Sequence, residues 1–513
     1  MASAIRPNHF DVIVVGAGSA GAALAARLTE APHRRVLLVE AGHDYANIDE
    51  LPEEIRQGHA TGTDLVIDPD GVHNWGFTAR ATPLQPDMPV PRGKITGGTS
   101  AINGQVFLRP IPEDFDFWVS EGNDEWSYEK VLPFLSKLEN DLDFSDQYHG
   151  NDGPIVVRRY QPDELVEDQA AFIEAVAAAG FSKTEDHNHP ASSGVGPLPL
   201  NNPDGIRWST SLGYLAGARD RPNLSISADA HVTRVLIVKN RAIGIQVEVN
   251  GGLVEVLGSE VVLCAGSIGS PHLLMLSGLG PREQLETAGI DVIAELPGVG
   301  QNLRDHPSVH VRWRAEDQFP MPDIETGPQK VALRYTTRGS ELRNDMIAVM
   351  RWNSTNREFL MSAGIYLAKA SGELRLSSKD PFEQPELDYH LLDHPYDLSR
   401  MRDAVRMHIE LGAHPAYKGI LKELIDPLPA DLETDGSLDD WLLRRVSTMH
   451  HISCTARMGP DSDPGAVVNQ YGQVRGINCL RVADISIMPD CPRANTNLAA
   501  ILIGERIADF MRK

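Results

Sequence analysis

This 513-residue chain has few cysteines, few aromatic residues and little positive charge. Its four cysteines are scattered, without a CxxC pair, which argues against structural zinc and indicates a reducing compartment. Lysine and arginine number 47 against 71 aspartates and glutamates, so the formal net charge is −24. A surface of this sign repels phosphate backbones, and we therefore expect no nucleic-acid partner.

Long apolar runs are also missing. No stretch approaches the roughly 18 residues that a membrane helix needs, and the N-terminal MASAIRPNHFD has no apolar secretory core. These features predict a cytoplasmic protein without a membrane span. One hydrophobic core rarely serves more than roughly 250–300 residues, so two large domains are expected; the sequence leaves the oligomeric state open.

A dinucleotide-binding pattern is present in residues 10–40, FDVIVVGAGSAGAALAARLTEAPHRRVLLVE. It reads as strand, glycine turn, helix, strand and acid. Gly16 makes the tight turn, Gly18 lets a pyrophosphate approach the backbone, and Gly21 lets helix and strand pack closely. The helix N-terminus then presents free N–H groups to the phosphates. Glu40 is placed to accept hydrogen bonds from the adenosine ribose.

This pattern alone does not separate FAD from NAD. No second strand–GxGxxG–helix unit follows, because Gly298 and Gly300 lack the third glycine. A single dinucleotide site must therefore supply any redox chemistry, which favours a tightly held flavin over a nicotinamide that shuttles. Residues 120–155, with mixed acids, aromatics and helical spacing, are predicted to cover the cofactor.

The middle of the chain differs from its start. The run 260–266 predicts a buried strand that returns to the nucleotide sheet. Residues 308–448 alternate short strands with amphipathic helices at 397–411 and 438–445, which predicts a second, α+β domain on an antiparallel sheet. The predicted fold is a Rossmann-like α/β domain interleaved with this α+β substrate domain.

Four blocks together resemble the glucose–methanol–choline (GMC) oxidoreductases, which are FAD-dependent alcohol oxidases and dehydrogenases. They are GAGSAG with its acid, GGTSAIN (97–103), GSIGSPHLLMLSGLG (266–280), and HISCTARMG (451–459) with ANTNL (494–498). Thr96 departs from the family, which usually has an aliphatic residue before the glycine pair. The resemblance implies an FAD domain of residues 1–157, 201–307 and 449–513, and a substrate domain of 158–200 and 308–448.

The resemblance also implies the catalytic pair. The family's histidine lies six residues before the arginine of its RMG block, which here gives His451, and its partner corresponds to Asn495. The imidazole would take the hydroxyl proton of an alcohol while a hydride passes to flavin N5. The amide would bind the same oxygen and fix its geometry. His450 is either a packing residue or part of the pocket lining.

Motifs and resemblance together imply an FAD site. Ile102 stands where some members carry a histidine that attaches FAD covalently, so we expect non-covalent FAD. Neighbouring histidines also suggest a metal, but adjacent residues rarely share one face and no carboxylate completes a site, so none is predicted. The predicted cofactor-binding residues are Gly16, Ala17, Gly18, Ser19, Ala20, Gly21, Glu40, Ala41, Arg92, Gly97, Gly98, Ser100, Asn103, Gly104, Gln105, Val106, Val232, Ala265, His450, Asp484, Ala494, Asn495 and Thr496.

The substrate is less defined. Choline-oxidising relatives carry a glutamate after the RDHP block (304–307), whereas this chain has Ser308; another acid such as Glu316 would have to replace it. We expect a primary alcohol of modest size, oxidised to an aldehyde, with O₂ or another electron acceptor. The alternatives are a hydroxynitrile-type lyase, which holds FAD structurally, and a silent binding subunit. The intact His451 and Asn495 argue against the latter.

Overall fold

The computed structural model describes residues 9–57, 68–323, 327 and 329–512. Most of the N-terminal stretch considered for a secretory signal lies outside these residues. Two seven-stranded sheets organise the described chain. One is mainly parallel and carries the glycine-rich motif; the other is antiparallel, and a cavity lies between them.

The parallel core of the first sheet confirms the predicted strand–turn–helix–strand unit. Phe10–Val15 pairs in parallel with Val36–Val39 on one side and with the end of Gly252–Leu263 on the other. The predicted strand at 260–266 therefore does return to the nucleotide sheet. The sheet runs in the order Leu224–Ser227, Val36–Val39, Phe10–Val15, Gly252–Leu263, Arg241–Val249 and Ala230–Val238, with Leu480–Val482 added beside Gly252–Leu263.

The second sheet is antiparallel throughout its recorded pairings, as predicted. Pro395–Gly412 and Asp435–Arg445 form the two predicted helices of this region. The division of the chain into two domains at the boundaries given above stays a prediction. The strands lie in the order Leu421–Asp426, Pro307–Ala315, Glu358–Ile365, Met346–Asn353, Val331–Tyr335 and Gly194–Pro197, with Ser447–Thr448 beside Pro307–Ala315.

Helices cover the first sheet and join the two ends of the chain. A Cβ atom on Gly504 would lie 2.3 Å from the carbonyl oxygen of Ala20, so the last helix packs directly on the first. None of the helices in the described part of the chain combines the length and apolarity that a bilayer crossing requires. The other α-helices in the described residues are Ser19–Leu28, Glu53–Arg56, Pro112–Ser120, Tyr128–Lys137, Glu167–Ala178, Gly266–Leu276, Arg282–Thr287 and Thr496–Phe510. The small two-stranded sheets are Phe77–Ala79 with Met88–Val90, Glu139–Asp141 with Ile155–Val157, Leu279–Gly280 with Ala294–Glu295, and Glu373–Arg375 with Glu386–Asp388.

Candidate active site

The two glycine motifs meet backbone to backbone. Gly16 has a φ of +99°, and a Cβ there would lie 2.5 Å from the carbonyl oxygen of Cys264. A Cβ on Gly98 would lie 2.6 Å from the Cα of Gly18. Gly97 donates its backbone N–H to the carbonyl of Ala17 over 2.8 Å. Since no side chain fits between these segments, they present a bare backbone surface that a cofactor can approach closely.

Three helices begin at the same cavity. Ser19–Leu28, Gly266–Leu276 and Thr496–Phe510 all place their first residues on its wall. None of the three N-cap residues caps its own helix with a side chain, although Asp484 accepts the first N–H of the second helix. The positive dipole ends of all three helices face the cavity and suit a negatively charged ligand. Ser19 donates its hydroxyl to Asn497 Oδ1 over 2.7 Å and thereby joins two of these ends. This arrangement suits a pyrophosphate and other negative groups.

The cavity has a volume of about 680 Å³ and brings most of the predicted site residues together. Five predicted residues lie behind its wall: Ala17, Gly21, Gly97, Ser100 and Ala494. Those on the wall are Gly16, Gly18, Ser19, Ala20, Glu40, Ala41, Arg92, Gly98, Asn103, Gly104, Gln105, Val106, Val232, Ala265, His450, His451, Asp484, Asn495 and Thr496.

Four of the five residues behind the wall shape its backbone. Ala17 donates its N–H to Glu40 Oε2 over 2.8 Å, and Ser100 donates its hydroxyl to the Gly97 carbonyl over 2.6 Å. Gly21 allows the close helix contact, because its Cβ would lie 1.9 Å from the Gly16 oxygen. Sequence motifs therefore mark these positions for local geometry rather than for direct contact with the cavity.

Two buried carboxylates hold loops at the wall. Glu40 accepts N–H bonds from Ala17 and, over 2.9 Å, from Gly42, while burial raises its pKa to about 7. Asp484 accepts from the backbone N–H of Gly266 over 2.9 Å and from the hydroxyl of Ser270 over 2.6 Å. Burial raises the pKa of Asp484 as well. Both carboxylates therefore stabilise backbone turns in addition to any contact with a ligand.

An aromatic group at the Glu40 end of the cavity was missed by sequence reasoning. Trp75 and Phe77 stack with ring centroids 5.7 Å apart, and the ring of His231 lies 5.5 Å from Trp75 and 4.9 Å from Phe382. All four side chains line the cavity. They come from three distant segments, so only their aromatic character signalled them in the sequence.

His451 is held by hydrogen bonds at both ring nitrogens. Its Nε2 lies 3.1 Å from Asn495 Nδ2, and its Nδ1 lies 2.8 Å from His306 Nδ1. Its backbone N–H donates to Asp305 Oδ1 over 2.9 Å, and Thr448 donates its hydroxyl to the same carboxylate. His306 and Asp305 were not predicted as site residues. The RDHP block contained them, but it was interpreted only for its bearing on the substrate.

Burial keeps the pKa of His451 well below the usual imidazole value, and the neighbouring His306, His450 and Arg92 lower it further. His451 is only 7% exposed. Burial also lowers the pKa of His306 to about 3 and raises that of Asp305 to about 6. Both imidazoles are therefore neutral near pH 7, and His451 is in the form that can accept a proton.

His450 lies open to the cavity but deep within the protein. Its φ of +65° turns the chain so that this residue and His451 both reach the wall. Its backbone N–H donates to the Thr448 hydroxyl over 2.6 Å. The surrounding protein, then Arg92 and Arg351, lower the pKa of His450 to about 3. It is a lining residue, in line with one of its two expected roles.

The segment 120–155 does not cover this cavity, so that expectation is wrong. Its helix Tyr128–Lys137 packs near the last helix, and Trp126 contacts Phe510 with ring centroids 6.3 Å apart. The indole of Trp126 donates to the Gln470 carbonyl over 2.9 Å. No described residue of this segment lies on the cavity wall. Its aromatic residues and helical spacing serve packing against the last helix.

One cluster outside the cavity has the residue types of a metal site. Potential ligand atoms of Glu139, Asp141 and His149 lie within 4.8 Å of one another. Arg109 Nη2 lies 2.5 Å from Glu139, and Arg159 Nη1 lies 2.9 Å from Asp141. Each carboxylate thus already has a guanidinium partner, and the group is best described as a buried ion-pair network.

Comparisons with known proteins agree with this geometry. The family models for the N-terminal and C-terminal parts of the GMC oxidoreductases match residues 10–308 and 368–504. An oxygen-dependent choline dehydrogenase from Photobacterium profundum is 34% identical, over 98% of this chain and 92% of the relative. The mitochondrial choline dehydrogenase of Mus musculus is 31% identical, over 99% and 90% respectively.

A solved structure shows the same fold. Pyridoxine 4-oxidase from Mesorbium loti superimposes with a TM-score of 0.91 at 28% identity, covering 98% of this chain and 99% of the other. The bare glycine surface, the three helix N-termini and the buried Glu40 fit FAD as the cofactor. With both family models matched in sequence order, this chain is a member of the GMC oxidoreductases, the FAD-dependent enzymes of alcohol oxidation.

Proposed function

We propose that this enzyme oxidises a primary alcohol to an aldehyde, with His451 as the base and Asn495 as the ligand of the alcohol oxygen. The observation that carries the proposal is the pair itself: a neutral imidazole whose Nε2 lies 3.1 Å from an amide nitrogen at the cavity wall. An alcohol oxygen bound beside this pair would accept an N–H of the Asn495 amide and donate its O–H to His451 Nε2, replacing the direct contact of the two side chains. The alcohol oxygen that Asn495 holds is thus the same atom from which His451 removes the proton.

His306 supports the base by fixing its tautomer. If His451 Nε2 accepts a proton, its Nδ1 already carries one and donates it to His306 Nδ1 across 2.8 Å. The proton of His306 then sits on its Nε2. This direction of hydrogen bonds puts the lone pair of His451 on Nε2, the nitrogen beside the Asn495 amide at the cavity wall. His306 is a positioning residue in this scheme.

The chain also fits the cofactor of its family. When bound, FAD supplies the acceptor for the two electrons and the carbon-bound hydrogen that leave the alcohol. The residues that would hold it are the wall residues of the glycine motifs, Glu40 and the three helix N-termini. A buried guanidinium nitrogen of Arg92 has no protein hydrogen-bond partner at this wall, which suits a ligand acceptor. Ile102 provides no nitrogen for covalent attachment, so FAD is held non-covalently.

The two sheets support a division of the chain into two domains with different roles. We propose an FAD domain of residues 1–157, 201–307 and 449–513 and a substrate domain of 158–200 and 308–448. The strands of the parallel sheet come from the first set, and those of the antiparallel sheet lie almost wholly in the second. The four unpaired cysteines favour a reducing, cytoplasmic setting. The electron acceptor is O₂ or another oxidant.

Anaerobic mixing of the purified holoenzyme with primary alcohols tests this function. We expect at least one alcohol to remove the blue-light absorption of the flavin. Admission of air then separates an oxidase, which recovers quickly with hydrogen peroxide, from a dehydrogenase, which recovers slowly. If no alcohol bleaches a flavin that dithionite reduces, while a cyanohydrin is cleaved, the proposed oxidation is wrong and a lyase takes its place.

A further inference from the structure

We propose that Asp305 and Thr448 form a clamp on the backbone of the two neighbouring histidines. The clamp selects which imidazole acts: it directs His451 to Asn495 and leaves His450 as a lining residue. Both clamp residues act through the base, so they are positioning residues. The inference rests on the proposed role of His451 and extends it to the turn that carries this side chain.

The histidine turn has a backbone conformation that needs support. His450 has a φ of +65°, a region that glycine enters freely and that residues with a Cβ enter only at a cost in free energy. Such a conformation persists where surrounding contacts fix it. In an extended strand, neighbouring side chains point to opposite sides. The turn instead lets His450 and His451 line the same cavity.

The carboxylate of Asp305 is the centre of the clamp. Its Oδ1 accepts the backbone N–H of His306 over 2.6 Å and that of His451 over 2.9 Å. Its Oδ2 accepts the hydroxyl of Thr448, whose oxygen accepts the backbone N–H of His450 over 2.6 Å. The N–H groups of both paired histidines are therefore connected, directly or through one hydroxyl, to a single carboxylate.

Burial makes these hydrogen bonds costly to lose. Asp305 is 5% exposed and Thr448 is 6% exposed, so water does not readily replace a missing partner. Burial raises the pKa of Asp305 to about 6, while its hydrogen bonds and the charge of Arg92 act in the opposite direction. The carboxyl group is thus mainly ionised near pH 7 and accepts hydrogen bonds at both oxygens.

The clamp extends a strand pairing that leads into the turn. Thr448 pairs with Pro307 between the two antiparallel strands, and the N–H of Met449 donates to the His306 carbonyl over 3.0 Å. The ring of His306 also contacts His451, with their Nδ1 atoms 2.8 Å apart. Asp305 therefore holds the backbone of the base and the backbone of the residue that fixes its tautomer.

Thr448→Val tests the clamp with a small change, because valine keeps the shape of the side chain and removes its hydroxyl. We expect the limiting rate of anaerobic flavin reduction to fall by about 10–100-fold, as is common when a reacting group is slightly misplaced. The apparent Kd should change little. Thr448→Ser, which keeps the hydroxyl, should recover most of the rate. The substrate is the primary alcohol that bleaches the unchanged holoenzyme fastest.

A second substitution at His450 separates the clamp from a general loss of packing. Added to Thr448→Val, His450→Gly should raise the rate by about fivefold or more, because glycine adopts a positive φ without the cost that a Cβ imposes. His450→Ala in the same background is the matched control. It also removes the imidazole but keeps the Cβ, so it should restore nothing.

Hydrogen exchange of the holoenzyme, followed by mass spectrometry, gives a readout that needs no turnover. We expect the backbone amides of His450 and His451 to exchange faster in Asp305→Ala than in the unchanged protein. Asp426→Ala is the control and should leave these amides as they are. Asp426 is also a buried carboxylate, but it accepts the indole N–H of Trp441 over 2.8 Å and does not line the cavity.

The outcomes separate the clamp from the proposed function. If an alcohol reduces the flavin but Thr448→Val is as fast as the unchanged enzyme, or the two double variants have equal rates, the clamp is wrong and the alcohol oxidation stands. If no alcohol reduces the flavin, the proposed function fails and exchange decides the clamp: faster exchange in Asp305→Ala supports it, and unchanged exchange overturns it. Should either variant fail to fold, Asp305→Asn replaces it, with a smaller effect of the same sign expected and no effect contradicting the clamp.

Discussion

The two walls of the active-site cavity are built from different parts of the polypeptide. On the cofactor side, backbone atoms form the surface: Gly18 and Gly98 nearly touch, and three helices begin there with their positive dipole ends toward the cavity. On the sheet side, side chains form it, with His310, Ser362 and Arg351 projecting from neighbouring strands. A backbone surface fixes which cofactor fits, whereas a side-chain surface changes its chemistry with single substitutions.

The largest expected effect is on the backbone wall. Gly98→Ala would place a Cβ 2.6 Å from the Gly18 Cα at a φ of +53°, so the two motifs would have to move apart. We expect the purified variant to lose most of its FAD, measured as the ratio of flavin to protein absorbance. Gly217→Ala is the control, because a Cβ there meets no atom within 4 Å. Full flavin content in Gly98→Ala would contradict the close contact of the motifs.

Residues of the backbone-built wall could be predicted from the sequence, whereas those of the side-chain-built wall could not. Gly16, Gly21 and Glu40 could be assigned because each is required by local geometry that repeats wherever the same turn is made. The alternating pattern of residues 308–448 indicated strands, but not which face meets the cavity. That depends on how one sheet packs against another, which no local pattern contains. The role of His451 came from the resemblance of the chain to a family.

The contacts of His451 show the same limit. Asn495 lies in a motif and was found, whereas His306 lies 145 positions away in sequence and touches the opposite ring nitrogen. The sequence block that contains it, RDHP (304–307), was considered only for its bearing on the substrate and not as a source of a partner for His451. The segment 120–155 was misassigned because aromatic and helical spacing is shared by a cofactor cover and by a helix that packs against another helix. Tertiary contacts alone separate these two cases.

The catalytic pair gives the second-largest expected effect. Replacing His451 by alanine should slow anaerobic flavin reduction by about 10²–10⁴-fold, the range for loss of a general base. His450→Ala should change it by less than about tenfold, because His450 lines the cavity without contacting Asn495 in the described structure. Both variants should keep their flavin spectrum. The assignment is wrong if His450→Ala abolishes reduction while His451→Ala remains near normal.

A smaller effect is expected at His306. His306→Leu removes the acceptor for His451 Nδ1 and leaves the ring free to take the other tautomer. We expect the limiting rate of flavin reduction to fall by roughly 10–100-fold, as is common for a residue that orients another, with little change in apparent Kd. His306→Gln, which offers an amide oxygen as acceptor, should recover part of the rate. Equal losses in the two variants would point to packing against Tyr366 instead.

The smallest effect is a displaced pH dependence. His451 acts as a base only when neutral, and its pKa lies well below the usual imidazole value of about 6.5. The neutral form is therefore complete above that pH and is lost only as the pH falls through the lowered pKa. We expect the limiting rate of flavin reduction to stay level from about pH 9 down to about pH 6.5 and to decline only in more acidic solution. His450, with its pKa near 3, does not titrate in this range. A rate that halves at or above pH 6.5 would show that burial does not lower the pKa of His451 in the holoenzyme.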